Sequence, residues 1–174
     1  METIRGGTVR TKDKNDSHCG GRTLHLVDLE NLVGDPRASA SEAAAALAAY
    51  REVALVVDGD HAVIACNANN GAMAFAAADA WPGCLVKVAH GEDGADNALL
   101  GTCDPDHVVA RYSRVVVASG DHAFTGLTSE LRRRGVVVTV ISRASALARD
   151  LRRVACVCHH LPEIAGVTPA RAAA

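Results

Sequence analysis

The sequence predicts an α/β fold, a three-layer α/β/α sandwich around a mainly parallel sheet of five or six strands. Three observations carry this. Short runs that are apolar throughout recur along the chain, VVVAS and VVVTVI being the plainest, and such strands are buried on both faces. Segments of helical pattern alternate with them, which means parallel strands joined by right-handed crossovers. The length, 174 residues, suits one domain with a proper core. Hydrophobic residues make up 49% and aromatics only 3%, so Val, Leu, Ile and Ala must build that core.

The elements follow in order. Residues 1–22 hold two Gly-Gly pairs around a mixed-charge stretch and read as a disordered N-terminal arm. TLHLVD (23–28) is the first strand, and Leu29–Arg37, containing Gly34 and Pro36, reads as a loop. Ser39 or Ser41 caps an alanine-rich helix through Tyr50, with Glu42 in its first turn. In VALVVDGDHAVIAC a helix end and a turn precede a strand at His61–Cys66; a hairpin at Asp58-Gly59 is the competing reading. Asn69–Asp79 is helical up to Trp81-Pro82-Gly83, and CLVKVA (84–89) is the third strand. A helix starts at Gly94–Leu100, breaks near Asp104-Pro105 and resumes to Arg111. RVVVAS (114–119) is the fourth strand, followed by a helix over His122–Arg134 that Gly135 closes. VVVTVI (136–141) is the fifth strand, Ser145–Arg153 a short helix, and VACVC (154–158) a sixth, core strand. The domain thus spans 23–161, and 162–174, with Pro169 and a run of alanines, is a flexible tail.

Charge and cysteine usage narrow the setting. Residues 1–130 carry 10 basic and 18 acidic side chains, whereas residues 131–174 carry 8 and 2. An acidic body with a basic C-terminal third suits a protein that binds a cation and a polyanion together, although solvated helix faces give the same balance. Met1–Arg22 is polar, without the apolar centre of a signal peptide, and no run approaches a transmembrane span. The six cysteines are accordingly expected as reduced thiols in a cytoplasmic protein with no membrane partner. Cys156 and Cys158, followed by His159 and His160, could suggest zinc, but no second ligand pair has the expected spacing.

In a parallel sheet all strands point their C-terminal ends at one edge, and ligands bind there. The residues after each strand are therefore a census of candidate function. Strand one ends in Asp28, with Glu30 and Asn31 beyond it; strand two ends in Asn67, with Asn69 and Asn70. After strand three come His90, Glu92 and Asp93, then Asp96 in a helix first turn. Strand four delivers Ser119, Gly120, Asp121 and His122, and strand five Ser142 and Arg143. The opposite edge has no comparable set of acids. Carboxylates gathered at one edge repel and raise each other's pKa unless a cation lies between them, and an oxygen-rich set suits Mg²⁺ or Mn²⁺. Such an ion polarises a phosphoryl oxygen and activates water, the chemistry of phosphodiester hydrolysis. Each acid also has a structural reading: Asp28 and Asp121 as helix caps, Asp96 as a dipole-stabilised first-turn acid, Asn31 as a loop former.

HLVDLENL (25–32), GADNALLG (94–101) and VVVASGDHAF (115–124) resemble the three signature blocks of NYN domains, which belong to the PIN-like ribonuclease fold. The resemblance runs from Thr23 to Leu161. It implies a metal-dependent endonuclease acting on RNA, with Asp28, Asp96 and Asp121 as catalytic metal ligands for Mg²⁺ or Mn²⁺. Asn31 would orient the first loop and Ser119 would support the ligand shell. The family pattern has a further acid two residues after the SGD aspartate; here that position is Ala123. Glu30, Glu92 or Asp93 would have to compensate. Arg143, Arg149, Arg152, Arg153 and the Arg132–Arg134 run are expected to contact RNA phosphates. A non-cutting relative that binds RNA or a partner protein is the alternative, and oligomeric state is left open. A haloacid dehalogenase-type phosphatase fits less well: Glu30 stands where a second Asp belongs, and no lysine follows Ser119.

Overall fold

The computed structural model describes residues 21–91 and 93–162. The expected arm at 1–22 and tail at 162–174 therefore lie almost wholly outside the described residues, as do Cys19 and Glu92. Six strands form one sheet: β1 (Arg22–Asp28), β2 (His61–Asn67), β3 (Leu85–Ala89), β4 (Tyr112–Ala118), β5 (Val137–Ser142) and β6 (Val157–His160). Every pairing is parallel, and the order across the sheet is β3-β2-β1-β4-β5-β6. Helices α1 (Leu29–Val33), α2 (Ala40–Ala54) and α3 (Gly71–Ala80) cover one face. Helices α4 (Gly94–Leu100), α5 (Pro105–Arg111), α6 (Thr125–Arg133) and α7 (Arg149–Val154) cover the other. This is the three-layer α/β/α sandwich expected.

The order explains why helices sit on both faces. From β1 the chain moves one way to β2 and β3, then returns across the sheet to β4 and continues the other way. Right-handed crossovers in opposite directions place their helices on opposite faces. The reversal lies between β1 and β4, and the crevice beyond their C-terminal ends is where such sheets bind ligands. The register pairs Val27 with Ala118, so the next residues, Asp28 and Ser119, emerge side by side.

Local chemistry sets the element ends. Ser39, not Ser41, caps α2 in a capping box: its hydroxyl accepts from Glu42 N–H while the Glu42 carboxylate accepts from Ser39 N–H (2.8 Å). α2 and α3 are pinned by Arg51, whose Nη1 donates to the Ala80 carbonyl (2.7 Å) and whose guanidinium lies over the Trp81 ring. Gly135, in the left-handed region at φ +88°, closes the turn after α6 as expected.

Four expectations need correction. Leu29–Arg37 is not all loop, because α1 begins directly after Asp28 and stops at Gly34, whose φ of +89° takes the left-handed cap. The helix expected from His122 begins as a 3-10 turn (His122–Phe124), since Asp121 caps the Ala123 N–H and tightens it. Helix α7 starts at Arg149 rather than Ser145, because residues 144–146 form a turn closed by Ala146 N–H on the Arg143 carbonyl. Strand β6 starts at Val157 rather than Val154, which ends α7, and it is a largely exposed edge strand rather than a core one. Cys156 is exposed, and among the described residues no His, Cys, Asp or Glu cluster close enough for zinc forms there or elsewhere. No helix among the described residues is long and apolar enough to cross a membrane.

One buried polar cluster belongs to the fold alone. His25 faces inward from β1 with no exposed surface; its Nδ1 lies 2.7 Å from the Tyr50 hydroxyl and its Nε2 3.3 Å from Asp60 Oδ2. Asp60 also accepts from the Thr23 and Val57 N–H groups. Burial works against the Asp60 charge, but the Val57 N–H, His25 and the Thr23 N–H together hold its carboxyl below the usual range. An ionised Asp60 only accepts, so Nε2 carries the imidazole proton and Nδ1 accepts from Tyr50. Burial lowers the His25 pKa, which favours the neutral ring this arrangement requires. Tyr50→Phe should leave Nδ1 buried without its donor and cost about 1–3 kcal/mol, the desolvation penalty of an unmet acceptor. Urea unfolding of the two proteins measures it; equal midpoints would mean that the clasp contributes nothing.

Candidate carboxylate site

Asp28 ends β1 and is also the N-cap of α1: its Oδ1 accepts from Asn31 N–H (3.1 Å). Its other oxygen, Oδ2, accepts from the Ser119 hydroxyl (3.2 Å), and Ser119 is wholly buried. The same Ser119 oxygen accepts from Asp121 N–H (3.2 Å). Asn31 completes the frame by accepting from Gly120 N–H at its side-chain oxygen (2.9 Å). The SGD turn after β4 is thereby tied to the turn after β1 through two independent side chains. Gly120 has no room for a side chain, because a Cβ there would run into the Ala146 carbonyl.

Asp96 enters from α4 in its first turn and is 8% exposed; Asp28 is 5% exposed. The two carboxyls face one another closely enough to share a proton, and the buried Asp96 Oδ1 accepts from no N–H or hydroxyl of the described residues. Burial first, and the Asp96 charge second, push the Asp28 carboxyl up to about 7, against the pull of the Asn31 N–H and the Ser119 hydroxyl. Asp96 is raised as well, first by burial and then by the charge of Asp121. Asp121 itself is a third exposed on its side chain, with Oδ1 turned onto the Ala123 N–H (2.8 Å) and His122 Nδ1 3.0 Å away.

Around these acids lies a cleft of about 270 Å³ walled by Asp28, Glu30, Asn31, Asn67, Asp93, Asp96 and Asp121, among others. Every carboxylate singled out in the sequence that the structure describes therefore reaches one hollow. Glu30 is engaged, accepting from Asn67 N–H (2.8 Å), and so ties α1 to the end of β2. Asp93 stands at the rim with φ +56°, a left-handed conformation that Asp tolerates better than most residues. The Asn67 side chain donates to the Gly91 carbonyl (3.0 Å). A second hollow of about 560 Å³ adjoins the first through their shared walls Glu30 and Asn67, and Arg37, Asn69 and Asn70 line it.

The residues fit a hard divalent cation by their chemistry. The donors are all oxygens, one buried carboxylate oxygen has no N–H or hydroxyl donor, and Asp28 and Asp96 repel unless a proton or cation intervenes. Among the described residues, no three of these groups are already close enough together to grip an ion. The acids form a near pair with outlying neighbours, because Asp121 and Glu30 each lend an oxygen to a backbone N–H.

The basic candidates divide. Arg143 leaves β5 and lays its guanidinium against Gly34, with Nε donating to the Asn31 carbonyl (3.0 Å). Arg149 opens α7 directly after Ala148, whose N–H bonds the Gly120 carbonyl (2.8 Å). Arg152 and Arg153 sit in the last turn of α7, toward the opposite edge of the sheet, and Arg153 lies 3.6 Å from Asp150. Arg132 donates to the Val154 carbonyl, Arg133 pairs with Glu130, and Arg134 with Glu130 and Asp106.

The sequence places Asn67 at this edge, where it walls both hollows, but assigns no close-approach role to Gly34 or Gly120. The two glycines are the available signal: Gly120 follows Ser119 just past the end of β4, and Gly34 closes the short helix after Asp28. No protein-family model matches this chain, and no curated protein matches it.

The Asp28–Asp96 pair makes stability depend on pH, with a definite sign. A carboxyl held near 7 in the folded protein and near 4 in the unfolded one keeps its proton longer when folded. Stability of the metal-free protein should therefore fall as pH rises from about 4 to 7 and level off above that. The difference is at most about 4 kcal/mol. Asp28→Asn, which removes the charge and keeps an acceptor for Asn31, should be more stable than the parent at pH 8 and equal to it near pH 4. Denaturant midpoints across that range test it, and a parent that gains stability toward pH 8 would refute it.

Proposed function

We propose that this cleft holds a divalent cation, Mg²⁺ or Mn²⁺, and hydrolyses RNA phosphodiester bonds, as the resemblance of the three sequence blocks to NYN domains implies. The observation that carries the reading is Asp96: a buried carboxylate set against a second buried carboxyl, with no N–H, hydroxyl or basic group of the described residues bonded to its Oδ1. A buried pair of like charges costs several kcal/mol unless a proton or cation lies between them, and the oxygen-lined cleft around this pair is the reason to place a cation there. Asp28, Asp96 and Asp121 are the residues that would hold the ion, with Glu30 and Asp93 close by. When bound, it supplies Lewis-acid polarisation of a phosphoryl oxygen and lowers the pKa of water.

The chain's own residues orient and exclude. Ser119 and Asn31 fix Asp28 and the SGD turn, and the α4 first turn brings Asp96 in from the other face of the sheet. The adjoining hollow with Arg37, Asn69 and Asn70 offers a path for a strand leaving the acids, and Arg149 stands beside the SGD turn for phosphate contact. The turn after β1 favours this reading over a dinucleotide site in the same doubly wound sheet. That site needs a glycine-rich turn that lets backbone approach a pyrophosphate, whereas here the turn is DLENLVG, with two carboxylates that would repel one.

Ala123 supports a second reading, an RNA- or protein-binding relative that no longer cuts. The position where the family pattern has an acid contributes only its N–H, to Asp121.

Calorimetric titration with Mn²⁺ separates the two: binding at sub-millimolar metal is expected for the first, and its absence would leave the second. Cleavage of single-stranded or structured RNA should require the metal and stop on chelation. Asp96→Asn and Asp121→Asn should each lower the rate roughly a hundredfold or more, above the 10–100-fold typical of groups that only support a ligand. A purified protein that cuts no RNA with either metal would sink the catalytic reading.

A further inference from the structure

We propose that Arg143 is a positioning residue of the carboxylate site, holding Asn31 by its carbonyl and so fixing the SGD turn against Asp28. Its consequence for metal binding rests on the proposed cation site; its geometry does not. Arg143 follows β5, on the far side of β4 from α1, yet its Nε donates to the Asn31 carbonyl at 3.0 Å. The guanidinium reaches that carbonyl by lying flat where a side chain at Gly34 would stand, since a Cβ there would collide with its Cζ, Nη1 and Nε. Gly34 is therefore held small twice, by its φ of +89° and by the arginine above it.

Asn31 is the residue so held. Its N–H caps Asp28 Oδ1 and its side-chain oxygen accepts from Gly120 N–H. One residue thus touches a candidate ligand and the turn that carries another, and Arg143 fixes its third polar group. The turn that starts at Arg143 grips the same loop from behind: the Ala146 carbonyl is packed against Gly120, and Ala148 N–H bonds the Gly120 carbonyl at 2.8 Å. Residues 143–148 hold the β1 turn with a side chain and the β4 turn with backbone. A phosphate contact would need only charge at this place. Here Nε is already spent inward, and the flat guanidinium matches the bare glycine in a way an ammonium does not.

The test uses Arg143→Gln and Arg143→Lys in the full chain, with circular dichroism to show that both fold; the lysine variant keeps the charge and most of the stem. Amide hydrogen exchange at Gly120 reads the positioning directly, without metal or RNA. Exchange should speed roughly tenfold or more in both variants. Mn²⁺ affinity should fall roughly 10–100-fold, the usual cost of losing a group that orients a ligand. RNA turnover should then lose kcat with KM little changed and an unaltered salt dependence. Unchanged Gly120 exchange overturns the proposal. So does a raised KM with a shallower salt slope and parental kcat and Mn²⁺ affinity, which is the signature of a lost phosphate contact. If the parent binds no Mn²⁺ the metal reading fails by itself, and exchange at Gly120 still decides the role of Arg143.

Discussion

β1 and β4 lie side by side although the chain visits β2 and β3 between them, and the site depends on that one pairing. Parallel neighbours in register end together, so Asp28 and Ser119 emerge at the same height and a serine hydroxyl spans the gap to a carboxylate. Shifting that register by one residue would turn every side chain of β1 to the other face. The alternation Leu24, Leu26 on one face and Val27 on the other forbids it, because both faces are packed. The hydrophobic core thus does the positioning. Once the strands are locked, only short side chains are needed to bridge their ends, and Ser119 and Asn31 are short.

The dependence on strand ends also decides what a sequence can disclose. Apolar runs such as VVVTVI mark buried strands directly, and a carboxylate just past one is at the ligand edge whatever the strand order is. Asp28, Asp96 and Asp121 are legible for that reason. Strand order is not, because a run of alternating strands and helices is compatible with several orders, and only the packed faces choose among them. The α1 helix escapes notice because Gly34 and Pro36 look like loop residues, although Asp28 and Gly34 are also a cap at either end of one short helix. The start of β6 is hidden because LRRV keeps helical spacing up to Val154: Leu151 and Val154 lie on one face of α7. His25 looks like a break in an apolar strand, and its partners Tyr50 and Asp60 come from elements whose arrangement only the fold supplies.

The distribution of charge looks different once folded. Counted along the chain, the basic C-terminal third is a candidate polyanion surface, but most of its arginines are engaged or turned from the cleft. Arg132, Arg133 and Arg134 bond a carbonyl or the acids Glu130 and Asp106. Arg143 and Arg149 are the ones that border the β1 and β4 turns. Exposed ion pairs of this kind contribute little to stability, so the run at 132–134 serves chiefly to solvate the end of α6, which its basic residues also suit electrostatically.

β1 carries two buried ionisable groups, and the difference between them is the strongest internal argument about function. His25 has a partner at each ring nitrogen, and its aspartate has two further backbone donors. Nothing is left over, and the cluster needs nothing from outside the chain. Three residues later on the same strand, Asp28 meets another buried acid, Asp96, whose Oδ1 has only the Asp28 carboxyl to share a proton with. A fold able to satisfy a histidine so completely in its interior is not short of donors by necessity. Setting Asp96 beside Asp28, at the edge where the strand order reverses, is destabilising once both are ionised, and this supports the proposal that a cation takes the place of the shared proton.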